Sequence, residues 1–122
     1  MNATEKGLAG LRVLVVEDET MVSLLIQDML DDLGCVVADQ ASTLAEALEK
    51  VGTLAFDVAV LDINLGGERS FPVAEWLGER GRPYIFVTGY AMSSLPPGFA
   101  GKTLLQKPFL QADLGRALLA VM

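Results

Sequence analysis

Short, continuously apolar runs alternate along this chain with segments whose apolar residues recur at helical spacing. Val13-Leu14-Val15-Val16 is apolar at every position and rich in β-branched residues, as a strand covered on both faces must be. It ends in Glu17-Asp18-Glu19. Beyond it Val22, Leu25, Ile26, Met29 and Leu33 follow a helical period, predicting one apolar stripe on a helix that Gly34 closes. Cys35-Val36-Val37-Ala38 reads as a second strand. Thr43 and Glu46 have capping-box spacing and open a helix through Leu44, Leu48 and Val51. Val58-Ala59-Val60-Leu61 is another buried run and ends at Asp62. Residues 63–70, with Gly66-Gly67, read as a loop, and Pro72 suits the first turn of a third helix through Leu77. Tyr84-Ile85-Phe86-Val87 is a fourth strand ending at Thr88-Gly89, and Thr103-Leu104-Leu105 a brief fifth ending at Lys107-Pro108. Between them Pro96-Pro97-Gly98 forbids a long helix, so residues 91–100 are expected to hold a short or irregular one. Leu110, Leu114, Ala117, Leu118 and Val121 form one face of a last helix.

Five strand–helix units in alternation predict a doubly wound α/β fold, a five-stranded parallel sheet with helices on both faces. The domain is expected over residues 10–122, behind an N-terminal tail at 1–9. In such sheets ligands bind outside the carboxyl ends of the strands, where the strand order reverses.

Composition then removes whole classes of chemistry. Among 122 residues there is no His, which excludes Ser-His-Asp and Cys-His catalysis, His-ligated zinc and a phosphohistidine on this chain. The single Cys, Cys35, excludes a Cys-based zinc site and an internal disulfide, as expected for a reducing compartment. Nine Lys+Arg against 16 Asp+Glu give a net charge of −7, poor equipment for gripping nucleic acid or an anionic membrane. No apolar run approaches the length of a membrane span and residues 1–10 carry no signal-peptide core, so a cytoplasmic protein is expected.

The predicted strand ends place Glu17, Asp18, Asp62, Thr88 and Lys107 on one rim. Each has an ordinary reading alone: carboxylates cap helices, Thr-Gly makes turns, and Lys-Pro starts loops. Together they make another pattern. Crowded carboxylates repel unless a cation sits among them, and a hard divalent ion, Mg²⁺ or Mn²⁺, takes such oxygens. A hydroxyl and an ammonium beside that ion suit a tetrahedral anion. The combination describes aspartyl-phosphate chemistry, with Asp62 as the nucleophile candidate.

These residues resemble the receiver domain of bacterial two-component response regulators, of the CheY type. The resemblance spans about residues 10–122 and rests on Val15-Val16-Glu17-Asp18-Glu19, Val60-Leu61-Asp62-Ile63-Asn64, Val87-Thr88-Gly89 and Lys107-Pro108-Phe109. It implies a flavodoxin-like sandwich of strand order 2-1-3-4-5. It also implies Asp62 as phosphoacceptor, Asp18 as direct metal ligand and Glu17 as the acidic neighbour acting through water. Asn64 would be the ligand through its carbonyl, Thr88 the hydroxyl that moves to the phosphoryl group, Lys107 its cationic partner, and the Lys107-Pro108 bond cis. The implied donor is a histidine kinase or phosphotransfer protein, meeting the chain on its first helix (Met21 to Leu33).

The chain departs from the family pattern in places. Leu104 replaces the usual switch aromatic, with Tyr90 an aromatic nearby. Asn64-Leu65-Gly66-Gly67-Glu68-Arg69 replaces the usual loop after the acceptor. The segment from Pro83 to Tyr90 resembles the motif of stand-alone receivers nicknamed FAT GUY, with Val87 in place of Ala. Ending at residue 122, the chain is expected to signal through protein contacts, to an unspecified downstream partner, and not through DNA or as an enzyme. Two alternatives are a phosphorylation-independent pseudo-receiver and an aspartyl-phosphate phosphatase. The dehalogenase-type phosphatases need an Asp as general acid where Asn64 stands.

Overall fold

A computed structural model describes residues 7–89 and 95–122. Its elements are β1 (Arg12–Val16), α1 (Thr20–Asp32), β2 (Val36–Ala41), α2 (Leu44–Thr53), β3 (Val58–Asp62), β4 (Asn64–Leu65), β5 (Glu68–Arg69), α3 (Phe71–Glu79), β6 (Tyr84–Thr88), β7 (Leu104–Gln106) and α4 (Gln111–Val121). Five strands form a sheet of order β2-β1-β3-β6-β7, with every neighbouring pair parallel. That is the expected doubly wound order, with β6 and β7 standing as its fourth and fifth members. The two-stranded antiparallel hairpin β4–β5 was expected to be plain loop; strands of two residues have no readable period.

Successive residues of a strand face opposite sides of a sheet, so each central strand feeds two cores. Leu14, Val16, Ala59, Leu61 and Phe86 pack on one side with Ala47 and Val51 of α2 and Val73, Ala74 and Leu77 of α3. Val13, Val15, Val58, Val60, Ile85 and Val87 pack on the other with Ile26 and Leu30 of α1 and Leu114 and Leu118 of α4. This double coverage is why β3 and β6 are buried at all five positions. The edge strands β2 and β7 are partly exposed, and here the expected bounds shift. β2 starts at Val36 and runs on to Ala41, and β7 covers 104–106, one residue later than expected.

The stripe expected on α1 is corrected in part. Its buried face is Ser23, Ile26 and Leu30, whereas Leu25 is 55% exposed and lies with Met21 and Leu24 on the outer side. Gly34, at φ 88, ends the helix in the left-handed conformation, its N–H donating to the Asp31 carbonyl at 3.0 Å. At α2 the Thr43 hydroxyl accepts from the Glu46 N–H at 3.1 Å; the Glu46 carboxylate reaches back to the Ser42 N–H at 3.4 Å, one residue before the expected partner. Leu8, ahead of the span assigned to the domain, has no exposed surface and joins the α1–α4 core. Cys35 is buried, and burial raises its thiol pKa. The Lys107-Pro108 bond is cis, as expected. Residues 95–103 form turns without a helix; the rest of the segment expected to be irregular, 91–94, and Tyr90 lie outside the described residues.

An aromatic cluster ties β6 to the 95–103 segment. Phe86 stands edge-on to Phe71, Tyr84 and Phe99 at centroid separations of 5.6, 5.3 and 5.6 Å, and Phe71 stacks on Phe99 at 5.0 Å. Phe86 has no exposed surface, so truncating it leaves a cavity the three rings cannot fill. Phe86→Ala is expected to cost about 3–5 kcal/mol, measured by urea unfolding. A loss under about 1 kcal/mol would show the cluster to be loosely packed.

Candidate functional site at the carboxyl edge

Parallel strands end together, so backbone pairing alone assembles this rim. The ladder runs past the formal ends of the strands: the Glu17 N–H donates to the Ala41 carbonyl (2.9 Å), Ile63 to Val87 (3.0 Å) and Lys107 to Thr88 (2.7 Å). Asp62 pairs with Val87, and Thr88 with Gln106. Asp62, Thr88 and Lys107 therefore sit on adjoining strands at one level, as their motifs require.

The side chains converge accordingly. Lys107 Nζ lies 3.1 and 3.3 Å from the two Glu17 carboxylate oxygens and 3.5 Å from Asp62 Oδ2. Ligand oxygens of Glu17, Asp18 and Asp62 all lie within 4.8 Å of one another. Glu17, Asp62 and Thr88 are buried, at 1%, 5% and 1% exposure. Asn64 begins the hairpin, where its N–H donates to Asp62 Oδ1 at 3.4 Å. A cavity of about 250 Å³ opens here, lined by Asp18, Glu19, Asp62, Asn64, Gly89 and Lys107, with room for several waters. Leu104 stands apart from this rim, half-buried against the Phe86 core and paired with Phe86 across the sheet.

Burial sets the electrostatics. Loss of water, and next the charge of Asp62, push Glu17 up to about 7 despite the Lys107 contact. Burial also raises Asp62, against the pull of Lys107. Burial alone lowers Lys107, but Asp62 and Glu17 outweigh it, so its pKa rises and it stays an ammonium. Three crowded carboxylates against one ammonium form a donor set that a hard divalent ion fits, and the set relaxes when such a charge arrives.

Several parts were missed in the sequence. The Gln40 side-chain amide donates to the Glu17 backbone carbonyl (3.0 Å) and to the Ser42 hydroxyl (3.0 Å). Lys50 donates to the Gln40 carbonyl at 2.6 Å and pairs with Asp39 at 3.0 Å. Polar residues at the end of a strand were the available signal. The Gly66 N–H donates to Asp18 Oδ2 at 3.0 Å, and the Gly66-Gly67 pair was its only trace. The expected partnership of Lys107 also changes emphasis, because its shorter contact is to Glu17.

Residues 13–118 match the family described as the response regulator receiver domain. The chain belongs to that family. This receiver is similar to SdrG of Sphingomonas melonis, whose solution structure shares 38% identity at a TM-score of 0.82, covering 92% of this chain and 96% of that one. The REC domain of the response regulator PhyR of Erythrobacter litoralis is similar at 28% identity and TM-score 0.80, with 93% and 90% covered. The chemotaxis protein CheY of Thermotoga maritima is 34% identical over 56 residues, 46% of this chain and 47% of that protein. The matched curated relatives are spanned over only 16%, 32% and 47% of their own lengths. Receivers are signalling domains of two-component systems that typically hold Mg²⁺ at an acidic pocket, and Glu17, Asp18 and Asp62 form such a pocket here. Among the described residues no helix is long and apolar enough to cross a membrane.

The raised carboxylates make a stability prediction. Glu17 and Asp62 hold protons more tightly in the folded chain than in the unfolded one. Their contribution is therefore complete below the ordinary carboxylate range and is lost as pH rises through the folded values. With chelator present, the melting temperature should fall from about pH 5 to about pH 8, and Glu17→Gln should flatten the slope. Calorimetry reads this directly; equal slopes for the two proteins would contradict the assignment.

Proposed function

We propose that this receiver accepts a phosphoryl group from a phosphohistidine on a partner protein, at the Asp62 carboxylate, and signals through protein contacts. The observation that supports this best is the Lys107 ammonium 3.5 Å from Asp62 and 3.1 Å from Glu17 at a buried acidic rim. In the transfer the donor's N–P bond breaks as an Asp62 oxygen forms the new O–P bond, and the imidazole leaves with the released electron pair. A divalent ion, held by the Asp18 and Asp62 carboxylates and the Asn64 carbonyl with Glu17 behind them, supplies positive charge to the transferring oxygens when bound. Lys107 offsets charge on a second side of the same group, so catalysis is positioning plus electrostatics. These 122 residues contain no histidine, so the phosphohistidine donor lies outside them. Asn64 provides no titratable proton for rapid hydrolysis, so turnover as a phosphatase stays slow.

Once modified, Asp62 carries a nearly dianionic group. The Thr88 hydroxyl and Lys107 then bond the new oxygens, which biases the loops after β3 and β6. The face carrying Leu104, with β7 and α4, passes that change on; Tyr90, two residues after Thr88 in sequence, is the second candidate for this role. Docking of the donor falls to the outer side of α1, where Met21, Leu24 and Leu25 are 79%, 51% and 55% exposed. An apolar groove of about 350 Å³ lined by Val22, Leu25, Ile26, Met29, Pro108 and Phe109 runs from there to Lys107.

Two measurements test this reading. Incubation with Mg²⁺ and a small phosphodonor should add one phosphoryl group by intact mass, and Asp62→Asn should add none. An unmodified mass with both a small donor and cognate kinases would favour phosphorylation-independent docking instead. Leu25→Glu should slow transfer from a kinase by on the order of tenfold, leaving the small-donor rate unchanged. Equal slowing with both donors would move the docking surface elsewhere.

A further inference from the structure

The hairpin β4–β5 touches both acidic strand ends at once. Its first residue, Asn64, donates its N–H to Asp62 Oδ1 at 3.4 Å, and at its turn the Gly66 N–H donates to Asp18 Oδ2 at 3.0 Å. Asp18 follows β1 and Asp62 ends β3, so one short hairpin bonds the carboxylates of two strands. The hairpin is itself well anchored. Leu65 is 3% exposed and packs into the core beneath, the Ser70 N–H donates to the Ile63 carbonyl at 2.9 Å, and Asn64 Oδ1 accepts from the Gly67 N–H at 3.0 Å.

We propose that this hairpin is a positioning strap, and that the Gly66 amide sets the Asp18 carboxylate for a divalent ion before the ion arrives. The inference rests on the reading that Asp18 and Asp62 hold such an ion. Carboxylates brought this close repel one another, and a half-buried aspartate would otherwise sample more than one rotamer. An N–H dipole fixed in a tight turn answers both problems: it faces the carboxylate with a positive end and fixes where the carboxylate points. An ion then meets a preorganised set and does not have to order it.

The turn depends on backbone and not on space. Gly66 and Gly67 lie at φ +62 and +97, yet a Cβ on either would meet nothing within 4 Å. At position 66 an Asn tolerates that conformation and keeps the N–H, whereas a Pro fixes a negative φ and has no N–H to give.

Isothermal titration of the full chain with Mg²⁺, without any phosphodonor, tests the strap. The Kd should rise about tenfold in Gly66→Pro and stay within about twofold in Gly66→Asn. Melting in chelator shows whether each variant is folded. Should Gly66→Pro not fold, amide exchange answers the same question in the metal-free protein, where Asp18→Ala should speed exchange at Gly66 about tenfold. The strap is overturned if Gly66→Pro binds Mg²⁺ like the unaltered chain, if Gly66→Asn is as weak as Gly66→Pro, or if exchange at Gly66 ignores Asp18. An unaltered chain that takes up no Mg²⁺ would instead remove the ion reading itself.

Discussion

One half-buried ammonium shared by two buried carboxylates governs this molecule. Lys107 bridges Glu17 and Asp62 where water is largely excluded, and Asp18 stands close by. Charge cannot be left unpaired in such a place without a large desolvation penalty. With all three carboxylates ionised, the single Lys leaves two negative charges over. The rim is therefore built around a deficit that a doubly charged cation neutralises. Protonation of Glu17, whose pKa is pushed up to about 7, removes one of the two charges.

That arrangement is possible because the sheet is parallel and its central strands are covered on both faces. Strands buried on both faces deliver their last residues to one level, and the following residue of each turns into the rim with its backbone still paired. Gln40 and Lys50 extend the support outward from β2, holding the Glu17 carbonyl while Asp39 anchors Lys50. The site is thus fastened by backbone pairing across the sheet and by the Gln40 side-chain amide on β2. Little conformational entropy remains to be lost when a ligand arrives.

What could be read from the sequence follows from the same physics. β1, β3 and β6 were legible because double burial demands unbroken apolar runs, and those runs end at Glu17, Asp62 and Thr88. The site residues were legible with them, since a strand end is a place as well as a residue. Edge strands were blurred: β7 carries only half-buried and exposed positions and starts one residue late. α1 misled because it faces two ways, with Ser23 turned inward and Leu25 outward, so its apolar residues do not trace its buried side. Contacts that bridge distant segments left only faint traces, polar residues at a strand end and a Gly-Gly pair. The Gln40 amide on the Glu17 carbonyl and the Gly66 amide on Asp18 depend on tertiary placement, and two-residue strands lie below any period.

Cys35 is this chain's only cysteine and is buried with a raised thiol pKa. A buried thiol that resists ionisation is a sluggish nucleophile toward alkylating reagents. A second cysteine engineered at an exposed spot, on the outer side of α1 or at the hairpin tip, will therefore react first. The fold in effect arrives pre-blanked for spectroscopy: a spin label or fluorophore can be attached at one chosen address without first deleting a native competitor.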